Sequence, residues 1–88
     1  MFHKIKKVVP LPGYKLAVLF EGGEQKEYDI NPLFGLWGVF QDLKNIDGLF
    51  RQVHVDTGGY GVSWNENIDL SCEELWDNGK PMEVGNAR

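Results

Sequence analysis

Three side chains in the middle of the chain have the types that hydrolytic chemistry uses. His54 and Asp56 lie two residues apart, and Ser63 follows in the same stretch, residues 52–70. Serine, histidine and aspartate form a catalytic triad when hydrogen bonds connect them in that order. Such a nucleophile normally lies on a strained turn beside oxyanion donors, whereas Ser63 falls within a predicted strand. A solvated polar sheet face explains the same residues, so we predict no catalytic residue.

The stretch that holds these residues predicts a β-hairpin with strands at 53–56 and 60–65. A two-residue loop, Gly58-Gly59, joins the strands. The pairing that follows from this loop length places apolar side chains on one face of the hairpin and polar side chains on the other. The predicted pairs are Val53 with Trp64 and Val55 with Val62 on the apolar face, and His54 with Ser63 and Asp56 with Gly61 on the polar face. A one-residue slip would scramble the two faces, so the pattern favours this register. Residues 57–61 hold more glycine than a hairpin needs, which leaves a close backbone approach by a partner open.

The other residues that could carry chemistry do not form a known site pattern. His3, His54 and Cys72 are far apart in sequence, and a zinc site needs three or four convergent ligands. The acidic stretch near the C-terminus lacks the alternating ligands and central glycine of a calcium loop. Its members are Glu66, Asp69, Glu73, Glu74 and Asp77. We therefore predict no metal and no cofactor.

Length and composition predict one folded domain that does not require an oxidising compartment. The 88 residues are 42% hydrophobic, and the single cysteine excludes an internal disulfide. The N-terminus lacks a continuous apolar signal segment, and no run reaches the length of a membrane span. We predict one domain at residues 1–79, a flexible tail at 80–88 and a cytoplasmic location.

Charge is unevenly distributed along the chain. The formal net charge is −4, yet residues 1–20 carry four lysines and no acidic residue. The acidic whole disfavours broad nucleic-acid binding, which leaves only a weak contact through the N-terminal lysines. Lysines on a solvated edge strand also prevent its pairing with other chains, and this is the simpler explanation of the basic N-terminal segment. The predicted interaction surface consists of Lys4, Lys6, His54, Asp56 and Ser63.

The first part of the chain predicts three antiparallel strands, at about 3–9, 14–20 and 25–30. The strand at 14–20 is apolar on both faces, so it lies centrally or faces a partner subunit, and a homodimer is one expectation. The register of the following hairpin stays open. A two-residue loop sets Tyr28 opposite Ala17, and a three-residue loop sets it opposite Val18.

Short helices are predicted to cover the sheet. Asn31-Pro32 is typical of a helix start, and glycines then break the helices over residues 32–52. We expect the aromatic side chains there to be core residues, with a ligand pocket as the alternative; they are Phe34, Trp37, Phe40 and Phe50. A helix at 72–77 begins at a capping box in which Ser71 and Glu74 cap each other. The predicted fold is an α+β two-layer sandwich, with a mainly antiparallel five-stranded sheet built from two hairpins plus an edge strand.

Ten short runs, in this order, resemble the domain of unknown function (DUF) family 2442. They are LAVLF (16–20), EGGE (21–24), YDINPL (28–33), GVF (38–40), Leu43, LF (49–50), VHVD (53–56), GVSWN (61–65), IDL (68–70) and EL (74–75), and the resemblance covers about residues 4–77. The resemblance implies a small bacterial α+β protein without assigned catalytic residues. It also implies a place in a two-gene cassette and an antitoxin-like role. Some relatives carry a helix-turn-helix domain, for which the residues after Leu75 are too few.

These observations favour a non-enzymatic protein-interaction or regulatory module, although they leave enzymatic activity open. The expected partner is a protein, encoded by a neighbouring gene. The alternative is a small-molecule binder or minor enzyme that uses the junction between helices and sheet with His54 and Asp56.

Overall fold

Seven strands and several short helical segments form an α+β fold over residues 2–82, the part of the chain that this computed structural model describes. The strands are β1 (Ile5–Leu11), β2 (Lys15–Phe20), β3 (Gln25–Asp29), β4 (His54–Val55), β5 (Gly61–Asn65), β6 (Ile68–Ser71) and β7 (Lys80–Pro81). One sheet has four strands in the order β1-β2-β3-β7, and the other has three in the order β4-β5-β6. All pairings are antiparallel.

The prediction of a single five-stranded sheet is therefore wrong. The second hairpin does not extend the first sheet, because it pairs with β6 instead. The side chain of Asn65 makes this return possible: its Oδ1 accepts the amides of Asn67 and Ile68 at 2.8 and 3.0 Å and so closes a tight turn. Ile68–Ser71 then alternates buried and exposed residues, as expected of a strand with one face against the core.

One hydrophobic core lies between the two sheets and the helical segments. The first sheet contributes Ile5, Leu16, Val18, Phe20 and Tyr28; the second contributes Val62, Trp64, Ile68 and Leu70; the segments between and after them contribute Ile30, Leu33, Phe34, Phe40, Leu43, Leu49, Cys72 and Leu75. The α+β class is confirmed.

The first sheet confirms two predictions and corrects the register of its hairpin. β1 is an edge strand and β2 is central, as predicted. The observed register sets Tyr28 opposite Leu16, so neither predicted pairing, with Ala17 or with Val18, is right. The three residues 21–23 form the loop, because the Phe20 amide donates to the Glu24 carbonyl at 2.9 Å.

Short helical segments cover residues 31–52, which confirms the predicted broken helices. They are 3-10 turns at Asn31–Gly35, Gly38–Gln41 and Phe50–Gln52, with α1 at Asp42–Asn45. The prediction that Asn31 caps the first of them is wrong. Its side-chain amide instead donates to the Gly13 carbonyl at 2.8 Å and to Asp29 at 2.7 Å, which ties the turn to the first hairpin.

The second hairpin has the predicted register, with His54 opposite Ser63 and Val55 opposite Val62. Residues 57–59 form a 3-10 turn between the strands. The helix predicted at 72–77 is present as α2 (Cys72–Asn78), and the Ser71 hydroxyl accepts the Glu74 amide at 3.1 Å. The other half of the capping box is wrong, because the Glu74 carboxylate accepts from other side chains, described below.

The boundary between domain and tail, at residues 79 and 80, stays a prediction, although it lies directly before β7 and assigns that strand to the tail. Lys80 and Pro81 pair with Glu27 and Lys26 of β3, and the Met82 amide donates to the Gln25 carbonyl. The remainder of the predicted tail, residues 83–88, lies outside the described residues.

The surplus glycine of the second hairpin has a structural reason. Gly59 has φ +82°, and a Cβ there would lie 2.7 Å from the Ile5 carbonyl oxygen and 3.2 Å from the Ile5 nitrogen. The close backbone approach that the sequence left open is therefore made by the chain's own β1.

Gly59→Ala should lower the free energy of unfolding by about 2–4 kcal/mol. The alanine would have to adopt a left-handed backbone conformation, and its Cβ would clash with the Ile5 backbone. Gly13→Ala is the matched control, because Gly13 has φ +80° with nothing within 4 Å of its Cβ position. The control should lose only about 1–2 kcal/mol. Urea unfolding of both variants measures the difference, and equal losses would show that the β1 contact is unimportant.

Candidate functional site

The polar face of the second hairpin does not have the hydrogen bonds of a triad. The Ser63 hydroxyl donates to Asp56 at 2.7 Å, so the carboxylate holds the serine rather than a histidine. His54 lies across the strands from Ser63, yet its Nδ1 is 3.2 Å from the Gln52 carbonyl oxygen and its side chain is exposed. This arrangement connects Ser63 and Asp56 structurally and leaves the imidazole outside the pair.

The two lysines of the predicted interaction surface lie on different parts of the N-terminal segment. Lys4 is half-buried, with its Nζ 5.1 Å from the centre of the Tyr60 ring. Lys6 is exposed beside the irregularity between Ile5 and Lys7 where β1 shifts register. The segment thus touches the hairpin loop through Lys4 and faces solvent at Lys6.

A cluster that the sequence analysis missed joins the N-terminus to α2. The His3 amide donates to Glu73 at 2.6 Å, and its imidazole stacks on Trp76 with 3.7 Å between ring centres and 3° between planes. The Lys26 Nζ lies 4.0 Å from the Trp76 ring centre. At these distances the His3 imidazole and the Lys26 ammonium cannot both lie over the same face of the indole, so the indole is held between them. The His3 amide holds the pKa of Glu73 below its ordinary value.

A second polar cluster connects β3 to α2. The Tyr28 hydroxyl donates to Glu74 at 2.7 Å, and the Asn78 side chain donates to the same oxygen at 2.9 Å. Burial, followed by the hydrogen bond to the Glu74 carboxylate, raises the pKa of Tyr28 above its ordinary value. Burial also raises the pKa of the Cys72 thiol, which makes it a poor nucleophile. Residues 2–82 contain no group of three or more His, Cys, Asp or Glu side chains placed to hold a metal ion.

The most exposed large apolar group beside a concavity lies between the two halves of the chain. Leu36, Trp37 and Val39 are 67%, 52% and 36% exposed, so the prediction that Trp37 is a core residue is wrong. They border an open groove of about 660 Å³, which we name the Trp37 groove. Residues 36–40 line one side, and Asn67, Asp69, Leu70, Ser71 and Glu74 line the other.

A second concavity, the Tyr14 hollow, lies between the turn that joins β1 to β2 and helix α1. It measures about 590 Å³ and is lined by residues 10–14, 43–44, 46–48 and 50–51. Its aromatic wall is Tyr14 and Phe50, whose ring centres are 5.2 Å apart, and its cationic side chains are Lys44 and Arg51. Tyr14 has φ +61°, a conformation that non-glycine residues seldom adopt. Of the aromatic residues predicted for a pocket at the junction of helices and sheet, Phe50 lines this hollow, and His54 and Asp56 do not.

Tyr28 should stay protonated in the folded protein at pH values just above 10.0, its ordinary pKa. A raised folded-state pKa contributes stability below pH 10 that is lost as the pH rises through the folded value. Phenolate absorbance should therefore rise by an extra step when the protein unfolds at alkaline pH. The step should vanish in Tyr28→Phe and persist in the control Tyr60→Phe. Ionisation of every tyrosine before unfolding would contradict this assignment.

Comparison with known proteins gives a family but no described relative. Residues 5–81 match the model of a protein family described as "Protein of unknown function (DUF2442)". The searches of curated proteins and of solved structures gave no significant match. Within residues 2–82, no helix has the length and apolar character to cross a membrane.

The match spans both sheets and α2, from the first residue of β1 to the last residue of β7. The resemblance inferred from the ten short runs is thereby confirmed. The chain belongs to the DUF2442 family of proteins of unknown function.

Proposed function

We propose that this protein is a non-enzymatic protein-interaction module that binds its partner at the Trp37 groove. The observation that carries the proposal is the exposure of Leu36, Trp37 and Val39 together at the mouth of a concavity. Exposed apolar residues that are contiguous, unlike scattered ones, mark contact surfaces, and tryptophan is enriched among the residues that dominate binding energy. Asp69 and Glu74 on the opposite wall favour a partner segment that combines apolar and basic side chains.

The partner that we propose is the product of a neighbouring gene, with this chain as the antitoxin-like or regulatory member of a two-gene cassette. The support for this assignment is the two-gene cassette that the sequence resemblance implies, together with the acidic charge of −4, which suits a basic partner. Co-expression of the two proteins, followed by size-exclusion chromatography and a growth-rescue assay, tests it. Separate elution together with no rescue would contradict the assignment.

Trp37→Ala should weaken the complex by about 2 kcal/mol, roughly thirtyfold, because it removes a large apolar side chain from the contact. Its effect on the free energy of unfolding should be small, since half of the side chain is already exposed. Isothermal titration calorimetry and urea unfolding measure the two quantities separately.

The matched control for this variant is Ile46→Ala. Ile46 is 50% exposed and lines the Tyr14 hollow instead of the groove. Wild-type affinity in the control with loss in Trp37→Ala supports the groove. The reverse result would contradict it and favour the hollow.

The second candidate function is binding of a small anionic ligand in the Tyr14 hollow. The observation that favours it is that two cationic side chains, Lys44 and Arg51, line the hollow against one carboxylate, Asp47, and stand beside an aromatic wall. A screen of aromatic carboxylates and phosphates against wild type and Arg51→Ala tests this function without reference to any protein partner. Binding that is unchanged in the variant would contradict it.

A second copy of the chain is the partner that we propose for the outer face of the four-stranded sheet. Val9, Ala17 and Leu19 form an apolar stripe there, with Lys7 on the β1 side and Glu27 on the β3 side. Glu27 is paired with Lys15 on the same face at 3.6 Å, so the apolar stripe, rather than charge, would hold two copies together about a two-fold axis. Ala17→Glu should therefore shift a dimer to monomer in sedimentation equilibrium. A monomeric wild type at high concentration would contradict the homodimer.

A further inference from the structure

β6 is the last strand of its sheet, and part of its backbone faces away from β5. The Cys72 amide donates to the Tyr60 carbonyl at 2.8 Å, and these residues continue the β5–β6 register. Hydrogen-bonded and non-hydrogen-bonded pairs alternate in an antiparallel ladder, so Leu70 bonds to Val62 while Asp69 and Ser71 do not bond across. The amide and carbonyl of Asp69 and the amide of Ser71 therefore point outward from the sheet edge.

The β4–β5 pairing leads to the same conclusion from the other side. The Asp56 amide donates to the Gly61 carbonyl at 2.9 Å, so the backbone groups of Gly61 face β4. By alternation those of Ser63 face β4 as well, and neither residue bonds to β6. Asp69 and Ser71, their neighbours in β6, consequently direct their backbone groups to the open edge.

The other sheet edges of residues 2–82 carry features that block strand addition. β1 has exposed Lys6 and Lys7, a register irregularity between Ile5 and Lys7, and Pro10. β4 and β7 are two residues long, and β7 contains Pro81. β6 has four residues and no proline, and its open edge borders the Trp37 groove through Asp69, Leu70 and Ser71.

We propose that the partner protein adds an extended strand, antiparallel, to the open edge of β6. One partner residue exchanges two hydrogen bonds with Asp69, and the Ser71 amide donates to the partner residue two positions earlier. This inference rests on the proposed protein-interaction function and specifies how the partner is bound.

Side-chain alternation determines the chemistry of the added strand. Asp69 is exposed and Leu70 is buried, so the two lie on opposite faces of β6. The partner residue opposite Asp69 projects beside its carboxylate and is Lys or Arg. The residues on either side of it project to the Leu70 face, toward residues 36–40, and are apolar. The recognised pattern is therefore apolar–basic–apolar in an extended segment.

The same charges disfavour pairing of β6 with β6 of a second copy about Asp69. A two-fold axis at Asp69 would set the two Asp69 carboxylates directly opposite each other, and like charges in that position destabilise a sheet. Glu74 on the same groove wall adds negative charge. A basic segment of a different protein relieves this repulsion.

Two variants at Ser71 isolate the backbone contact. Ser71 has φ −75°, which proline adopts without strain, so Ser71→Pro removes the outward amide and retains the strand. Ser71→Ala is the matched control, because both variants lose the hydroxyl that caps α2 and only the proline loses the amide. Affinity for the co-purified partner should be about tenfold or more lower in Ser71→Pro than in Ser71→Ala, because only the proline removes the backbone donor.

A peptide probe tests the same contact without the natural partner. Acetyl-Thr-Val-Lys-Val-Thr-amide should shift the amide resonances of Asp69 and Ser71 and the indole resonance of Trp37 in ¹H–¹⁵N spectra. The analogue with glutamate at the centre should shift them less at equal concentration. N-methylation of the central lysine, which removes the hydrogen bond to the Asp69 carbonyl, should abolish the shifts.

The outcomes separate this inference from the proposed function. If Trp37→Ala weakens the complex while Ser71→Pro binds as wild type does, the groove binds protein by another mode and strand addition is overturned. Absence of peptide shifts at Asp69 and Ser71 also overturns it. If neither variant affects the complex, the proposed function at this groove fails as well.

Discussion

The docking of residues 2–5 against the second hairpin and α2 joins the two sheets of this protein. Ladder hydrogen bonds run within each sheet, so other contacts must hold the sheets in place. The Ile5 backbone lies against Gly59, and the His3 amide donates to Glu73 at 2.6 Å. The Trp76 indole is held between His3 and a lysine of β3, so α2 carries the contact from one sheet to the other. The buried core between the sheets then excludes water from both inner faces.

The two hairpins show which parts of the fold the sequence could predict. The second hairpin alternates apolar and polar residues, so a one-residue slip would bury its polar face, and its register was predicted correctly. β2 is apolar on both faces, so a one-residue slip of β2 against β3 still leaves an apolar row on the core side. The pattern therefore does not determine which β2 residue lies opposite Tyr28. Periodicity also does not specify which strands become neighbours, and for this reason the pairing of the second hairpin with β6 instead of the first sheet was missed.

The candidate site was less predictable, because tertiary partners override local rules. Glu74 has the spacing of a capping box, yet its carboxylate accepts from Tyr28, a buried phenol that requires an acceptor. Ser63 and Asp56 were predicted to share a face, but the hydrogen bond that excludes His54 from their pair could be seen only in three dimensions. Tryptophan is a residue type expected in a core, so Trp37 was predicted there. The turn from Gly35 to Gly38 directs it outward, and the hydrophobic spacing of the sequence gives no signal of that turn.

Division of the strands into two sheets has a consequence for the surface. Two open sheets have four edges where one sheet has two, and every open edge is a site for unwanted pairing. Lysines and prolines or short length protect the edges at β1, β4 and β7. At β6, instead, the open backbone lies beside the exposed indole of Trp37 and the carboxylate of Asp69. An edge that combines backbone donors, apolar surface and charge in one place has the three components of strand recognition, which distinguishes it from an edge that is merely unprotected.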